Sequence, residues 1–318
     1  GYDLFHSIQY MADIIRHLPQ MRGYDVVQVT NPVFFDLRPE KNWAIFKYLK
    51  KHNKKIFLDA LAIDHYYVKA CLDGKTFRYS DFFVGDRPLP HPEREKMLAA
   101  WIGGPNERPN IEMAQEANGI IACLYEYYAA YQPEYADKLA YIPIPIDLSI
   151  NPFHPIKSTP EVVKFFIGIQ QHRTAIKGTD ILLDVLREIH DKYPRESHIQ
   201  KVVSVPFDEY NKLLVDCHIL LDQLYSYTPA TNALAAMARG IIAVSGAEPE
   251  FYNFIGEQKL RPIINVLPDR NDIFKQLENL IIHRDQLPRL STESRQFVEK
   301  YHDHVKVARQ YLEFWEKH

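Results

Sequence analysis

Two cations following a short apolar run give the sequence its most chemical stretch. Val162, Val163, Phe165, Phe166 and Ile167 form the run, and Gly168 closes it. A polar loop follows with Arg173 and Lys177. Gly178-Thr179-Asp180 then opens a segment whose apolar residues Ile181, Leu182, Val185, Leu186 and Ile189 recur at helical spacing. Strand, loop and helix in that order gather backbone N–H groups and the positive end of a helix dipole at one point. With two cations added, this is a place for an anion, and a diphosphate is the natural candidate. An ordinary βα turn with solvated basic residues would read the same way, so the stretch alone leaves both possibilities open.

The surrounding elements must position that loop. From residue 163 onward β and α segments alternate, which implies a mostly parallel sheet covered on both faces. Strands are expected near 163–167, 200–205, 218–222, 241–245 and 263–266. Helices are expected at 179–193, 207–215, 230–239, 248–254 and 270–283, with a last charged helix from Ser291 to His318. The first half reads as a helix over 1–23, a strand over 24–30, a helix over 40–52 and a strand over 55–61. Residues 73–110 read as irregular until a helix at 111–117. A strand over 119–124, a short helix over 125–131 and a strand over 138–142 complete this half. Pro152, Pro155 and Pro160 punctuate a polar stretch, so the domain boundary falls within 150–160, dividing 1–155 from 156–318.

Composition narrows the class. The 318 residues are 46% hydrophobic, enough to bury two cores. A net charge of −3 argues against a dedicated nucleic-acid binder. Cys71, Cys123 and Cys217 are far apart and form no CxxC pair, which suggests buried thiols in a reducing compartment, without a zinc site or disulfide framework. No apolar run approaches transmembrane length. No G-x-G-x-x-G follows an expected strand, which disfavours a dinucleotide oxidoreductase.

Several segments together resemble one family. Residues 116–147, EANGIIACLYEYYAAYQPEYADKLAYIPIPID, end in Ile-Pro-x-Pro-Ile-Asp. FFIGIQQHRTAIKGTDILLDVL, VPFDEYNKLLVDCHILLDQLYSYTP and NALAAMARGIIAVSGAEPE follow in order. In order and spacing they resemble the retaining GT-B glycosyltransferases, specifically the glycosyl transferases group 1 (family four). The resemblance implies an α/β chain with two Rossmann-like domains facing a cleft, and a last helix, about 301–318, that crosses back to the first domain. It further implies a nucleotide-sugar donor on the second domain and a saccharide or lipid-linked acceptor on the first. The donor would be held without a metal or other cofactor, and the leaving phosphate would help deprotonate the acceptor. A place in cell-surface polysaccharide synthesis follows by the same resemblance: cytoplasmic, with peripheral contact at the inner membrane face allowed.

The resemblance carries over residue by residue. Arg173 and Lys177 match the phosphate-loop cations, with Gly168 and Gly178 framing them. Asp64 and His65 match a strand end where the family has His or Asp near the sugar, although a structural His and a capping Asp would look alike. Glu250, with Glu248 nearby, falls where a family glutamate contacts a donor hydroxyl; a solvated helix-start carboxylate is the alternative. One departure is serious. Tyr227 and Ala235 stand where the family has two glutamates. Ser226, Thr228, Thr231 and Asn232 offer substitutes at a helix start near Pro229, unless they serve only as caps. A second departure is the front, where the family's first strand and Gly-rich loop are not visible, so the first domain reads as truncated at its start. The competing readings are a non-catalytic nucleotide-sugar-binding protein of the same fold, supported by Tyr227 and Ala235, and another GT-B activity such as an epimerase or phosphorylase.

Overall fold

The computed structural model describes residues 4–318, with side chains described from Ile8 onward. Residues 1–3 of the expected first helix, and the expectation of a missing strand and loop before them, lie outside the described residues.

The first half contains α1 (Leu4–His17), β1 (Val26–Val29), α2 (Pro39–His52), β2 (Lys55–Ala60) and α3 (His65–Leu72). A small hairpin, β3 (Phe83–Val84) with β4 (Arg87–Pro88), precedes α4 (Pro92–Trp101) and α5 (Glu107–Glu116). Then come β5 (Gly119–Ala122), α6 (Tyr125–Tyr135) and β6 (Leu139–Tyr141). The strands form a parallel sheet in the order β1-β2-β5-β6. Every residue of β5 is buried, because helices cover both faces of a parallel sheet and leave no polar side to the strand. Ile56, Leu58 and Ile120 of this sheet pack with Phe46, Tyr66, Met113 and Tyr131 in one core.

The second half is built around β7 (Val163–Ile169). It continues through α7 (Thr174–Lys177), α8 (Thr179–Lys192), β8 (Ser197–Val203), α9 (Phe207–Leu214) and β9 (Ile219–Leu221). After these come α10 (Thr231–Ala238), β10 (Ile242–Ser245), α11 (Pro249–Phe254), β11 (Ile264–Asn265) and α12 (Arg270–Ile282). The sheet order is β11-β10-β9-β7-β8, all parallel. From β7 the chain moves to one side for β8, then back across to β9 and outward. The order reverses between β7 and β9, and in open α/β sheets ligands bind in the crevice outside the carboxyl ends of strands at such a point.

Two helices, α13 (Leu287–Tyr301) and α14 (His304–Lys317), stand where a single terminal helix was expected. They break at His302, and the Asp303 carboxylate caps the second by accepting from the Val305 and Lys306 N–H groups. α14 returns to the first sheet, where Val307 and Phe314 pack against Phe57, Ile121 and Ile142. The chain thus passes twice between the halves, and the passages are stitched together. The Ile146 N–H donates to the His302 carbonyl at 2.7 Å, and the His304 N–H donates to the Ile146 carbonyl at 3.2 Å.

The stretch 73–110 is not irregular throughout, since it holds β3, β4, α4 and the start of α5. α4 starts at a proline capped by the His91 side chain, and its charged residues fall in one run, 93–96, followed by an apolar run, 97–101, so it lacks the apolar period that marks a helix. α6 runs through Pro133 to Tyr135, longer than its expected end at Tyr131.

Candidate functional site

The loop after β7 and the loop after β9 flank the switch point of the second sheet. In the first, Arg173 is exposed and Lys177 partly exposed. Arg173 caps the short α7, and Lys177 ends it. Gly178 follows with φ +67°, where a Cβ would also meet Leu224 Cβ at 2.7 Å, so the turn into α8 requires glycine. Gly168 meets a different demand, because a Cβ there would lie 2.6 Å from the Tyr210 ring. Gly178 thus shapes the turn, while Gly168 makes room within β7 for the Tyr210 ring. Among the described residues neither Arg173 nor Lys177 belongs to an ion pair.

This loop faces the first domain. Arg94, buried on α4, donates from Nη2 to the Ala175 carbonyl at 2.6 Å, and its guanidinium lies 5.6 Å from the centre of the Tyr225 ring. Burial pushes the nearby Asp81 carboxyl up to about 6, while a hydrogen bond from Tyr67 and the charges of Arg94 and Arg173 act against that rise. Arg173 therefore lies within electrostatic reach of a buried first-domain carboxyl.

The loop after β9 is held by the other domain. Glu126, in the first turn of α6, is buried and spans the cleft. Its carboxylate accepts from the N–H of Tyr227 at 2.6 Å, the N–H of Thr228 at 3.0 Å and the hydroxyl of Thr228 at 2.6 Å. Burial nonetheless raises its pKa, because full desolvation outweighs those donors. Ser226, Thr228, Thr231 and Asn232 do not cap α10, whose N-cap is Ala230 without a side-chain bond. Asn232 instead donates to the buried Asp222 at 2.9 Å. Thr231, the first residue of α10, is exposed.

A strap from residue 73 to 91 closes over the same region. Its Arg78 N–H donates to the Tyr227 hydroxyl at 2.6 Å, and its guanidinium lies 5.7 Å from the centre of the Tyr227 ring. The same guanidinium pairs with Glu248, and with Glu250 at 3.0 and 3.1 Å. Tyr79 adds a hydroxyl donated to Glu248 at 2.6 Å. Phe77, Tyr79 and Tyr125 surround the Tyr227 ring with centroids 4.8 to 6.2 Å away. Tyr227 is thus a buried hub of the domain seam. Glu250 stands in the first turn of α11, partly exposed, and is paired with Arg78.

Asp64 and His65 are engaged inside the first domain. Asp64, fully buried, caps α3 by accepting from the Tyr67 N–H at 2.9 Å, and it accepts from the Tyr131 hydroxyl at 2.7 Å. Burial pushes its carboxyl up to about 6. His65 Nδ1 lies 2.9 Å from the Trp101 carbonyl, so it carries a proton and donates there. These bonds match the structural alternatives for both residues. Arg78, Arg94 and Glu126 escaped sequence reading, because single charged residues in irregular segments or at a helix start carry no period or motif.

No protein-family model matches the sequence, and no curated protein does. Solved structures match the architecture. Sucrose-phosphate synthase from Thermosynechococcus elongatus superposes with a TM-score of 0.63 at 13% identity, covering 99% of this chain and 79% of that one. Anabaena Alr3699/HepE in complex with UDP and glucose gives 0.60 at 12% identity, with 96% and 81% covered. A point mutant of S. aureus TarM, in complex with Fondaparinux, alpha-GlcNAc-glycerol and UDP, gives 0.55 at 12% identity, with 86% and 59% covered. Two parallel sheets facing one another, doubly crossed and closed by a returning helix, make this chain an α/β protein of the GT-B fold.

Proposed function

We propose that the chain is a glycosyltransferase that takes a sugar from a nucleotide-sugar donor and passes it, with retention, to a saccharide or lipid-linked acceptor. The observation that carries this reading is the placement of Arg173 and Lys177, free of ion pairs among the described residues, at the carboxyl end of β7 beside the switch point. There they would hold the donor diphosphate with no metal or other cofactor. Negative charge grows on the diphosphate as the sugar bond breaks, so fixed cations aimed at it favour the transition state over the ground state. The leaving phosphate would then take the acceptor proton. That HepE and TarM structures contain UDP supports a nucleotide donor. Cell-surface polysaccharide synthesis, on the cytoplasmic side and in peripheral contact with the membrane, fits this chemistry. No described helix is long and apolar enough to cross a membrane.

A specific observation favours a second reading. Glu126 occupies the Tyr227 and Thr228 N–H groups, and Arg78 occupies Glu248 and Glu250. In this arrangement the seam is closed by the protein's own side chains. A non-catalytic nucleotide-sugar-binding protein would retain the phosphate loop while the rest of the seam became structural.

Calorimetric titration with nucleoside diphosphates, followed by a donor-hydrolysis and transfer assay, separates the readings. For a transferase, Arg173→Ala and Lys177→Ala each weaken diphosphate binding by roughly ten- to a hundredfold, as charge-assisted hydrogen bonds worth about 1.5–3 kcal/mol are lost. Turnover falls further than binding. Diphosphate binding without hydrolysis or transfer selects the second reading. Unchanged affinity in both variants refutes the phosphate-loop assignment.

A further inference from the structure

At the opposite end of the second sheet from the cleft, the structure holds a cavity of about 370 Å³. It opens at the amino ends of β7, β9 and β10, where Lys164, His218 and Ile241 lie. Arg173 follows the carboxyl end of β7, so the length of that seven-residue strand alone puts this cavity roughly 20 Å from the phosphate loop. The two places are separate.

The lining is built of donors. Lys157, Lys164 and Arg239 contribute permanent cations, and Asp216 is the one carboxylate on the wall. Among the described residues none of these cations is in an ion pair. Arg239 is only partly exposed, and its Nε donates to Asn151 Oδ1 at 2.9 Å, which fixes the guanidinium plane. Burial lowers its pKa, and the one group acting against that is Tyr210, not a carboxylate. The Lys164 N–H donates to His218 Nδ1 at 3.1 Å, so the neutral ring must carry its proton on Nε2 and is another donor. An unpaired, partly buried guanidinium is costly to keep unless an anion compensates it. Three permanent cations against one carboxylate leave a surplus of two charges. A carboxylate would satisfy half of that. A phosphomonoester, with close to two negative charges at neutral pH, satisfies nearly all of it. Ile156, Ile241 and Pro155 complete the wall with an apolar side that could seat the ester's organic part.

We propose that this cavity is a second anion site, specific for a small phosphomonoester and independent of the cleft. The test is calorimetric titration of the whole protein with glycerol 3-phosphate at low ionic strength, with glycerol as the uncharged control. Saturable binding of the phosphate at one site is expected, and no binding of glycerol. Arg239→Gln and Lys164→Ala should each weaken it about tenfold. Lys157 and Lys164 are both exposed, so the Lys157→Ala, Lys164→Ala double variant keeps the test valid even where Arg239→Gln lowers stability. Lys177→Ala should leave this binding unchanged. Binding that survives the double lysine variant, that disappears in Lys177→Ala, or that glycerol reproduces would overturn the proposal, as would no saturable binding.

Discussion

Arg78→Ala tests whether the strap is a closure of the cleft. The guanidinium contributes on two unequal arms. The Glu248 arm meets a carboxylate whose side chain is 2% exposed, against 54% for Arg78. A charge-assisted hydrogen bond of about 1.5–3 kcal/mol, discounted for the exposed arginine, leaves roughly 1–2 kcal/mol. The Glu250 arm joins two exposed groups, 54% and 38%, and adds about 0–1 kcal/mol. Glu248 keeps donors from Tyr79 and Asn265 after the change, so it is not stranded without partners. The total is roughly 1–3 kcal/mol, all of it across the two domains. Denaturant unfolding at neutral pH should show this loss, and salt should shrink the difference between wild type and variant. Any free energy that holds the seam shut also opposes a ligand that must open it. A loss of about 1.4 kcal/mol in closure should therefore tighten nucleoside-diphosphate binding by up to about tenfold. Lower stability with tighter binding confirms a closing contact. Lower stability with weaker binding shows that Arg78 meets the ligand itself, and unchanged stability refutes the reasoning about the bridge.

Three further outcomes are expected. Burial pushes Asp59 up to about 7 from an ordinary 3.8, so folding takes up a proton and stability from this group is lost as pH rises from about 4 to 7; Asp59→Asn should gain up to about 4 kcal/mol at pH 7 and little at pH 4, measured by denaturation across pH. His302 runs the other way: buried, its neutral form is favoured to about 4 against 6.5, so its contribution is full above pH 6.5 and lost as pH falls toward 4. His302→Gln should flatten that acid slope, worth about 3 kcal/mol in all. Phe314→Ala, removing the ring that packs on Phe57 at 5.6 Å, should cost about 3–5 kcal/mol in thermal or chemical unfolding, and a loss under about 1 kcal/mol would mean that α14 is not seated on the first sheet in solution.

The parallel α/β architecture was legible in the residues alone. Strands such as β5 and β7 are apolar runs because both their faces are covered, and α8 shows its buried stripe of Leu182, Val185, Leu186 and Ile189 at helical spacing. The strand–loop–helix order around Arg173, Lys177 and Gly178 is a local property and was readable for the same reason. α3 and α4 were not: α4 carries no apolar period, and its start is set by His91 and Pro92. What fills the seam depends on contacts between distant residues. Arg78 and Glu250 lie 172 residues apart, and Glu126 and Thr228 lie 102 apart. Such pairs have no spacing rule, because the charge on one residue says nothing about which distant carboxylate or N–H the fold will carry to it. The same holds for Asp64 and His65, whose position at a strand end suggested a ligand site while burial and the neighbouring Tyr131, Asn110 and Trp101 bound them to the core. Tertiary packing likewise brought Lys157, Lys164, His218 and Arg239 together at the far end of the sheet, from three separate segments: the chain entering β7, the residue before β9 and the end of α10.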